Sequence, residues 1–231
     1  MTISKETISF LKGLDENNNR DWLQANKKDF ENAKDNFAAF TGELIAGISQ
    51  FDPAVGGLMP DACIFRIYRD IRFSKDKRPY KPNFGAYISP GGRKTSSPGY
   101  YFHIQPGGQS FLAGGKHMPE SSELLAMRRA VADRTDEFLK IIGARNFKKL
   151  FGEMHGEKLK TAPKGFPADH PAIEYLKLKS FTVSHMVDDD KMLTAPDFPS
   201  YLVNTCKEMK PFIDFLRKAL SEPETVVRVR R

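Results

Sequence analysis

Cysteine is scarce in this chain: Cys63 and Cys206 are the whole complement, and most of the sequence lies between them. Neither has the paired spacing of a zinc site or a redox motif, which removes a disulfide scaffold and a cysteine-held metal as organising devices. Long apolar runs are missing as well. No stretch approaches the roughly 20 consecutive apolar residues of a membrane helix, and MTISKETISFLKGLDENNN is broken by Lys5, Glu6 and Lys12 before a secretory leader could form. The expectation is a cytoplasmic protein with reduced thiols and no membrane partner.

Several catalytic signatures are also lacking. The five histidines (His103, His117, His155, His170, His185) show no paired helical or strand spacing, and only His185, in SHMVDDD, lies near acids. Asp188, Asp189 and Asp190 suit a helix N-terminus, where negative charge is favourable, better than a cation cage. No metal and no cofactor are expected. Gly-x-Ser-x-Gly does not occur. The GGK at Gly114 lacks the spacing of a phosphate loop and is followed by His117 rather than a hydroxyl residue.

What is present is positive charge, concentrated in one place. The 231 residues carry a net +7. Between Ile64 and Lys94 stand nine basic residues (Arg66, Arg69, Arg72, Lys75, Lys77, Arg78, Lys81, Arg93, Lys94) against Asp70 and Asp76, so this block alone holds the whole excess. Such a concentration permits an anionic partner, because location decides more than the total.

Periodicity orders the rest. SKETISFLKGL reads as a short helix capped by Ser4 and ending near Gly13. From Asp21 to about Gln50 the positions Phe30, Ala33, Phe37, Phe40, Leu44 and Ile48 mark one face of a long helix, with Asn19 as its N-cap. After Pro60 the period changes. CIFRIYR, FGAYIS, GYYFHIQ and SFLAG read as four strands of an antiparallel meander, separated by PGGRKTSSPG and PGGQ. Pro79 and Pro82 make SKDKRPYKP a loop. Helical spacing returns after Met118, with Pro119 at a first helical position, then in TDEFLKIIG, NFKKLFG and AIEYLKL. SFTVSHMV alternates, and a final helix runs from about Asp197 to Leu220 with Pro211 as a kink or restart. Helices, strands and helices in succession predict an α+β fold: an antiparallel sheet packed by N- and C-terminal helices. One domain over residues 1–223 is expected, followed by a mobile basic tail at residues 224–231.

Candidate site residues follow from these placements. Arg66, Arg69 and Arg72 offer planar donor forks suited to phosphate or carboxylate, and Lys77 and Lys81 add less directional charge. Tyr101 and His103 share one face of GYYFHIQ. If that strand neighbours CIFRIYR, they join Arg66 and Tyr68 in an anion clamp beside a titratable imidazole. A phosphate-bearing ligand, a nucleotide or nucleic acid, is the partner so implied. Alternatively, clustered carboxylates (Asp61, Asp70, Asp76, with Lys77) sketch a phosphoesterase- or nuclease-like enzyme in which Asp76 or His103 acts as acid or base. A third reading makes the block an internal ion-pair network. Asn17, Asn18, Asn19 and Arg20 stitch the first turn to the long helix or line a cleft.

The segments FLKGLDENNNRDWLQANKKDF, RIYRDIRFSKDKRPYKPNFGA, GYYFHIQPGG, AGGKHMPE and LKSFTVSH resemble the uncharacterised family catalogued as domain of unknown function 2461. The resemblance spans most of the chain. It implies one full-length domain of mixed helix and strand, and it brings no activity, substrate or catalytic residue.

Overall fold

The computed structural model describes residues 1–70, 72, 75–154, 156–187 and 190–221. The expected basic tail, His155, Asp188 and Asp189 lie outside the described residues. The chain divides into two compact units, one made of residues 1–95, 99–113 and 184–207, the other of 96–98, 114–183 and 208–231.

The first unit opens with α1 (Lys5–Glu16), α2 (Arg20–Ala25) and α3 (Lys27–Ser49). Ser4 caps α1 as its short hydroxyl suggests, accepting from the Thr7 amide at 3.1 Å. The expected single helix from Asp21 is interrupted at Asn26. There the Asn26 side chain donates to the Trp22 carbonyl at 2.9 Å, competing with the backbone ladder, and α3 starts afresh. The apolar stripe of α3, with Phe37, Phe40, Leu44 and Ile48 fully buried, faces the core as its spacing predicts.

A single turn, α4 (Pro60–Cys63), comes next. This corrects the reading of CIFRIYR as a sheet strand: Pro60 starts a helical turn that takes in Cys63. From Ile64 the chain is extended but pairs only at isolated bridges, Ile64 with Ala86 and Tyr68 with Tyr80. The sheet consists of β1 (Phe84–Ile88), β2 (Gly99–Ile104), β3 (Ser110–Lys116) and β4 (Phe181–Val187), an antiparallel meander in the order β1-β2-β3-β4. SFTVSHMV is thus the fourth strand. In the first unit β1 and β2 bury Phe84, Ala86, Ile88, Tyr100, Phe102 and Ile104 on one face. Phe84 stacks there on Phe37 of α3 at 5.2 Å. The other face carries Gly85, Tyr101, His103 and Phe111.

In the second unit, α5 (Ser121–Asp133) begins two residues later than Pro119 suggests. Glu120 is its cap, and Glu120 and Glu123 form a reciprocal capping box. Then follow α6 (Thr135–Gly143), α7 (Arg145–Phe151) and α8 (Ile173–Leu176). Phe138, Tyr175 and Phe215 form an aromatic core here. Gly115 in β3, with φ 116°, lies so near β4 that a Cβ on it would stand 2.1 Å from the Phe181 carbonyl oxygen. Past β4 the chain is again part of the first unit: α9 (Asp190–Leu193) is a single turn, and α10 (Phe198–Ser221), which starts in that unit, runs through Pro211 as one helix.

Candidate functional site

The three asparagines in DENNNRDW do three separate things. Asn17 closes α1, with its backbone amide 3.0 Å and its side-chain amide 3.1 Å from the Gly13 carbonyl oxygen. Asn19 caps α2 by accepting from the Trp22 amide at 2.9 Å. Asn18 reaches across to Tyr80: its Oδ1 accepts from the Tyr80 amide at 3.0 Å and its Nδ2 donates to the Tyr80 carbonyl at 3.1 Å. Arg78 adds an ion pair to Asp15 at 2.6 Å. These contacts fasten the α1–α2 turn to the segment Arg78–Lys81, which is itself held to Ile67–Arg69 by the bonds Arg69 N to Pro79 O (2.9 Å) and Lys81 N to Ile67 O (2.8 Å).

This geometry splits the expected site into three places. The first is the exposed loop. Arg72 grips Asp70 through two nitrogens, at 3.0 and 2.8 Å. Asp76 is shared by Arg78 at 3.0 Å and Arg69 at 3.2 Å. Hydrogen bonds from Arg72 and Arg78 hold the Asp70 and Asp76 carboxyls down at about 2, so both are ionised at neutral pH. Lys77 is exposed on the same loop.

The second place is a cleft of about 700 Å³ between α2, the start of α3, and the Tyr68–Tyr80 pair. Tyr68 is 53% exposed and meets Tyr80 edge-on at 5.3 Å. Arg69 lines the cleft and donates to the Tyr80 carbonyl at 3.4 Å. Arg20 and Lys27 contribute from the helices.

The third place is the sheet face. In the β1–β2 register Gly85 stands opposite His103. Gly85 has no side chain to hinder Tyr101, whose hydroxyl would lie 2.8 Å from a Cβ at that position. His103 Nε2 faces Gln105 Oε1 at 3.0 Å, while Nδ1 lies 3.2 Å from the Tyr101 hydroxyl and 3.3 Å from Asn83 Nδ2. Gln105 gives its own amide nitrogen to Gln109 Oε1 at 2.7 Å, which leaves Gln105 Oε1 as the acceptor. The network therefore assigns a neutral ring that donates from Nε2 and accepts at Nδ1. Burial pushes the His103 pKa below its ordinary value, the Gln105 bond opposes the shift, and the charge of Lys81 reinforces it. Phe111 of β3 stacks on the ring at 4.6 Å.

Lys81 stands beside this network. Its ammonium lies 5.9 Å from the centre of the Phe65 ring, and Phe65 meets Tyr101 edge-on at 6.1 Å. Burial lowers the Lys81 pKa, and the charges of Arg69 and Arg66 lower it further. The expected clamp of Arg66 and Tyr68 with Tyr101 and His103 is thus rearranged. β1 intervenes, Phe65 takes the position next to Tyr101, Lys81 supplies the nearby cation, exposed Arg66 acts on Lys81 by charge, and Tyr68 turns to the cleft.

Tyr80, Asn83, Gln105 and Phe111 were not among the expected site residues. Gln105 was legible in principle, since the alternation of GYYFHIQ that puts Tyr101 and His103 on one face extends to it. Asn83 and Phe111, on other segments, carry no such signal. Among the described residues no cluster of three or more His, Cys, Asp or Glu is arranged to hold a metal ion.

A family model described as Conserved hypothetical protein (DUF2461) matches residues 6–215. The chain belongs to this family. Comparison with curated proteins gave no match, and comparison with solved structures gave none. In this DUF2461 chain the two longest segments that carry the family resemblance meet directly, through Asp15 with Arg78 and Asn18 with Tyr80. What the family signature encodes here is, at the least, a joint.

Proposed function

We propose that the protein binds a phosphate-bearing ligand, a nucleotide or nucleic acid, at the sheet face around Lys81, with Arg66 as a second cation and Tyr101, His103 and Phe111 as the adjoining aromatic surface. The observation that carries this reading is the setting of Lys81. It is a partly buried ammonium beside the Phe65 ring, and the charges that lower its pKa, Arg69 (itself paired with Asp76) and Arg66, are both cationic. Like charges held together cost free energy until an anion answers them, and a phosphate is the anion best matched to an ammonium beside a guanidinium.

For Arg69, Arg72 and Arg78 a structural role is the better reading, since each has a carboxylate within 3.2 Å. The enzyme reading has less support. Asp76 is engaged by two arginines, and the His103 Nδ1 lone pair already faces two donors, a setting for orientation rather than proton transfer.

The test is titration of labelled single- and double-stranded oligonucleotides, and of a nucleoside triphosphate, at several salt concentrations. Binding is expected to weaken with salt. Lys81→Ala and Arg66→Ala should each flatten the oligonucleotide log–log salt slope by about 0.7–0.9 for every phosphate that the variant no longer neutralises. Absence of binding at low salt to every probe, or identical slopes in wild type and both variants, defeats the reading.

A further inference from the structure

We propose that the cleft between α2, α3 and the Tyr68–Tyr80 pair is a separate binding site, for a small molecule that joins a planar aromatic ring to one anionic group, with a nucleoside monophosphate as the type. This goes beyond the sheet-face reading and does not rest on it.

Size and rigidity come first. At about 700 Å³ the space falls within the roughly 300–1,000 Å³ of small-molecule sites. Its walls come from distant parts of the chain, yet they are cross-linked: Asn18 to Tyr80 by two hydrogen bonds, Asp15 to Arg78 by an ion pair, and Arg69 to both Asp76 and the Tyr80 carbonyl. The break at Asn26 matters too. It lets α2 present Arg20 and Gln24 while α3 restarts to present Lys27 and Phe30 to the same space. A site built in advance loses little ordering entropy when a ligand enters.

The ring requirement comes from Tyr68. A tyrosine 53% exposed, steadied at its edge by Tyr80 at 71° between planes, offers ring surface to the cleft at the expense of leaving it wet. Covering it with a flat aromatic recovers that burial and adds stacking. Phe30 and Leu23 extend the apolar part of the lining.

The single anionic group comes from the charge balance. Arg20, Lys27 and Arg69 line the cleft together with Asp21 and Glu31. Arg69 is answered by Asp76, and Lys27 approaches Glu31 at 3.8 Å. Among the described residues Arg20 has no carboxylate within ion-pair distance. It acts instead on the Tyr80 hydroxyl, opposing the rise that burial gives that phenol's pKa. Asp21 of the same helix also has no ion pair among the described residues, so the donors of Arg20, next to an open ring, suit one phosphate next to a base, while Asp21 opposes a more highly charged ligand.

The experiment is calorimetric titration of the full chain with adenosine monophosphate, with adenosine and with inorganic phosphate. The monophosphate is expected to bind about tenfold or more tighter than either half. Tyr68→Ala should weaken it by about tenfold, the scale of one base–aromatic stack, while Tyr68→Phe retains affinity. Arg20→Ala should weaken it about threefold to fivefold, the scale of an exposed charge pair. No heat with the monophosphate, full affinity in both Tyr68→Ala and Arg20→Ala, or loss in Lys81→Ala but not in those two, overturns the cleft site. The last outcome leaves the sheet-face reading standing, so the two proposals fail separately.

Discussion

Replacing Asn18 with alanine tests the joint on which both candidate sites depend. The substitution removes two hydrogen bonds, at 3.0 and 3.1 Å, to the backbone of a tyrosine that is 5% exposed. The two ends of Tyr80 fare differently. Its carbonyl still receives Arg69 Nη2 at 3.4 Å, whereas its amide loses the acceptor that Asn18 supplied. Two net bonds at about 1 kcal/mol each, with one buried donor left unanswered, give a loss of about 2–3 kcal/mol. In a chain of this size that corresponds to a fall in Tm of about 5–10 °C. The neighbouring asparagines supply the internal scale. Asn19→Ala removes a helix cap and should cost about 1 kcal/mol. Asn17→Ala, at an exposed position whose backbone amide keeps its own bond to Gly13, should cost about 0.5 kcal/mol or less. Thermal and urea unfolding followed by circular dichroism rank the three. If Asn18→Ala costs no more than Asn17→Ala, the joint contributes nothing to stability and the claim that it shapes the cleft and the sheet face fails.

Two further outcomes follow from the same structure. Gly115→Ala must place a Cβ 2.1 Å from the Phe181 carbonyl at φ 116° and should destabilise by about 3–4 kcal/mol, whereas Gly143→Ala, with nothing within 4 Å of the new methyl, should be neutral or slightly stabilising; equal unfolding midpoints would contradict this. The Asp70 and Asp76 carboxyls, held at about 2 by their arginines, add stability that is fully present above the ordinary carboxylate value of 3.8 and is lost as pH falls through about 2. Amide exchange in the loop should therefore accelerate between about pH 4 and 2 and do so less in Asp76→Asn; a rate with no pH step in that window beyond the intrinsic one would contradict it.

What could be read from the chain, and what could not, divides along the distance between partners. The α+β class, the Ser4 and Asn19 caps, the stripe of α3 and the strands FGAYI, GYYFHI, SFLAG and SFTVSHMV all announce themselves locally, through capping chemistry and a period of 3.6 or 2. The location of the charge was equally plain. Where that charge goes was not. Arg78 ends on Asp15, 63 residues away, and no local pattern signals that pairing. The anion clamp was half legible for the same reason: alternation puts Tyr101 with His103, but only the register of β1 against β2 brings Lys81 near them in place of Tyr68. The errors at Asn26 and Cys63 are of another kind. In each, one residue that ends or starts a helical turn outweighs the propensity of its neighbours, as an asparagine side chain and a proline do.

The make-up of the first compact unit has a consequence for synthesis. Phe40 packs on Phe198 at 5.8 Å, and the space beside Gly47 is taken by Val203, so the core begun by residues 1–95 is closed by residues 184–207. At about 5–20 residues per second the ribosome needs on the order of 10 s to travel from one to the other. For that interval the part of α3 around Phe40 and Gly47 is made but uncovered, an apolar helix surface waiting beside a nascent chain, while Phe37 already has Phe84 to stack on. A folding factor that binds such surfaces would have its longest opportunity there, and a stop codon anywhere before Phe198 would leave that part of the stripe without its cover.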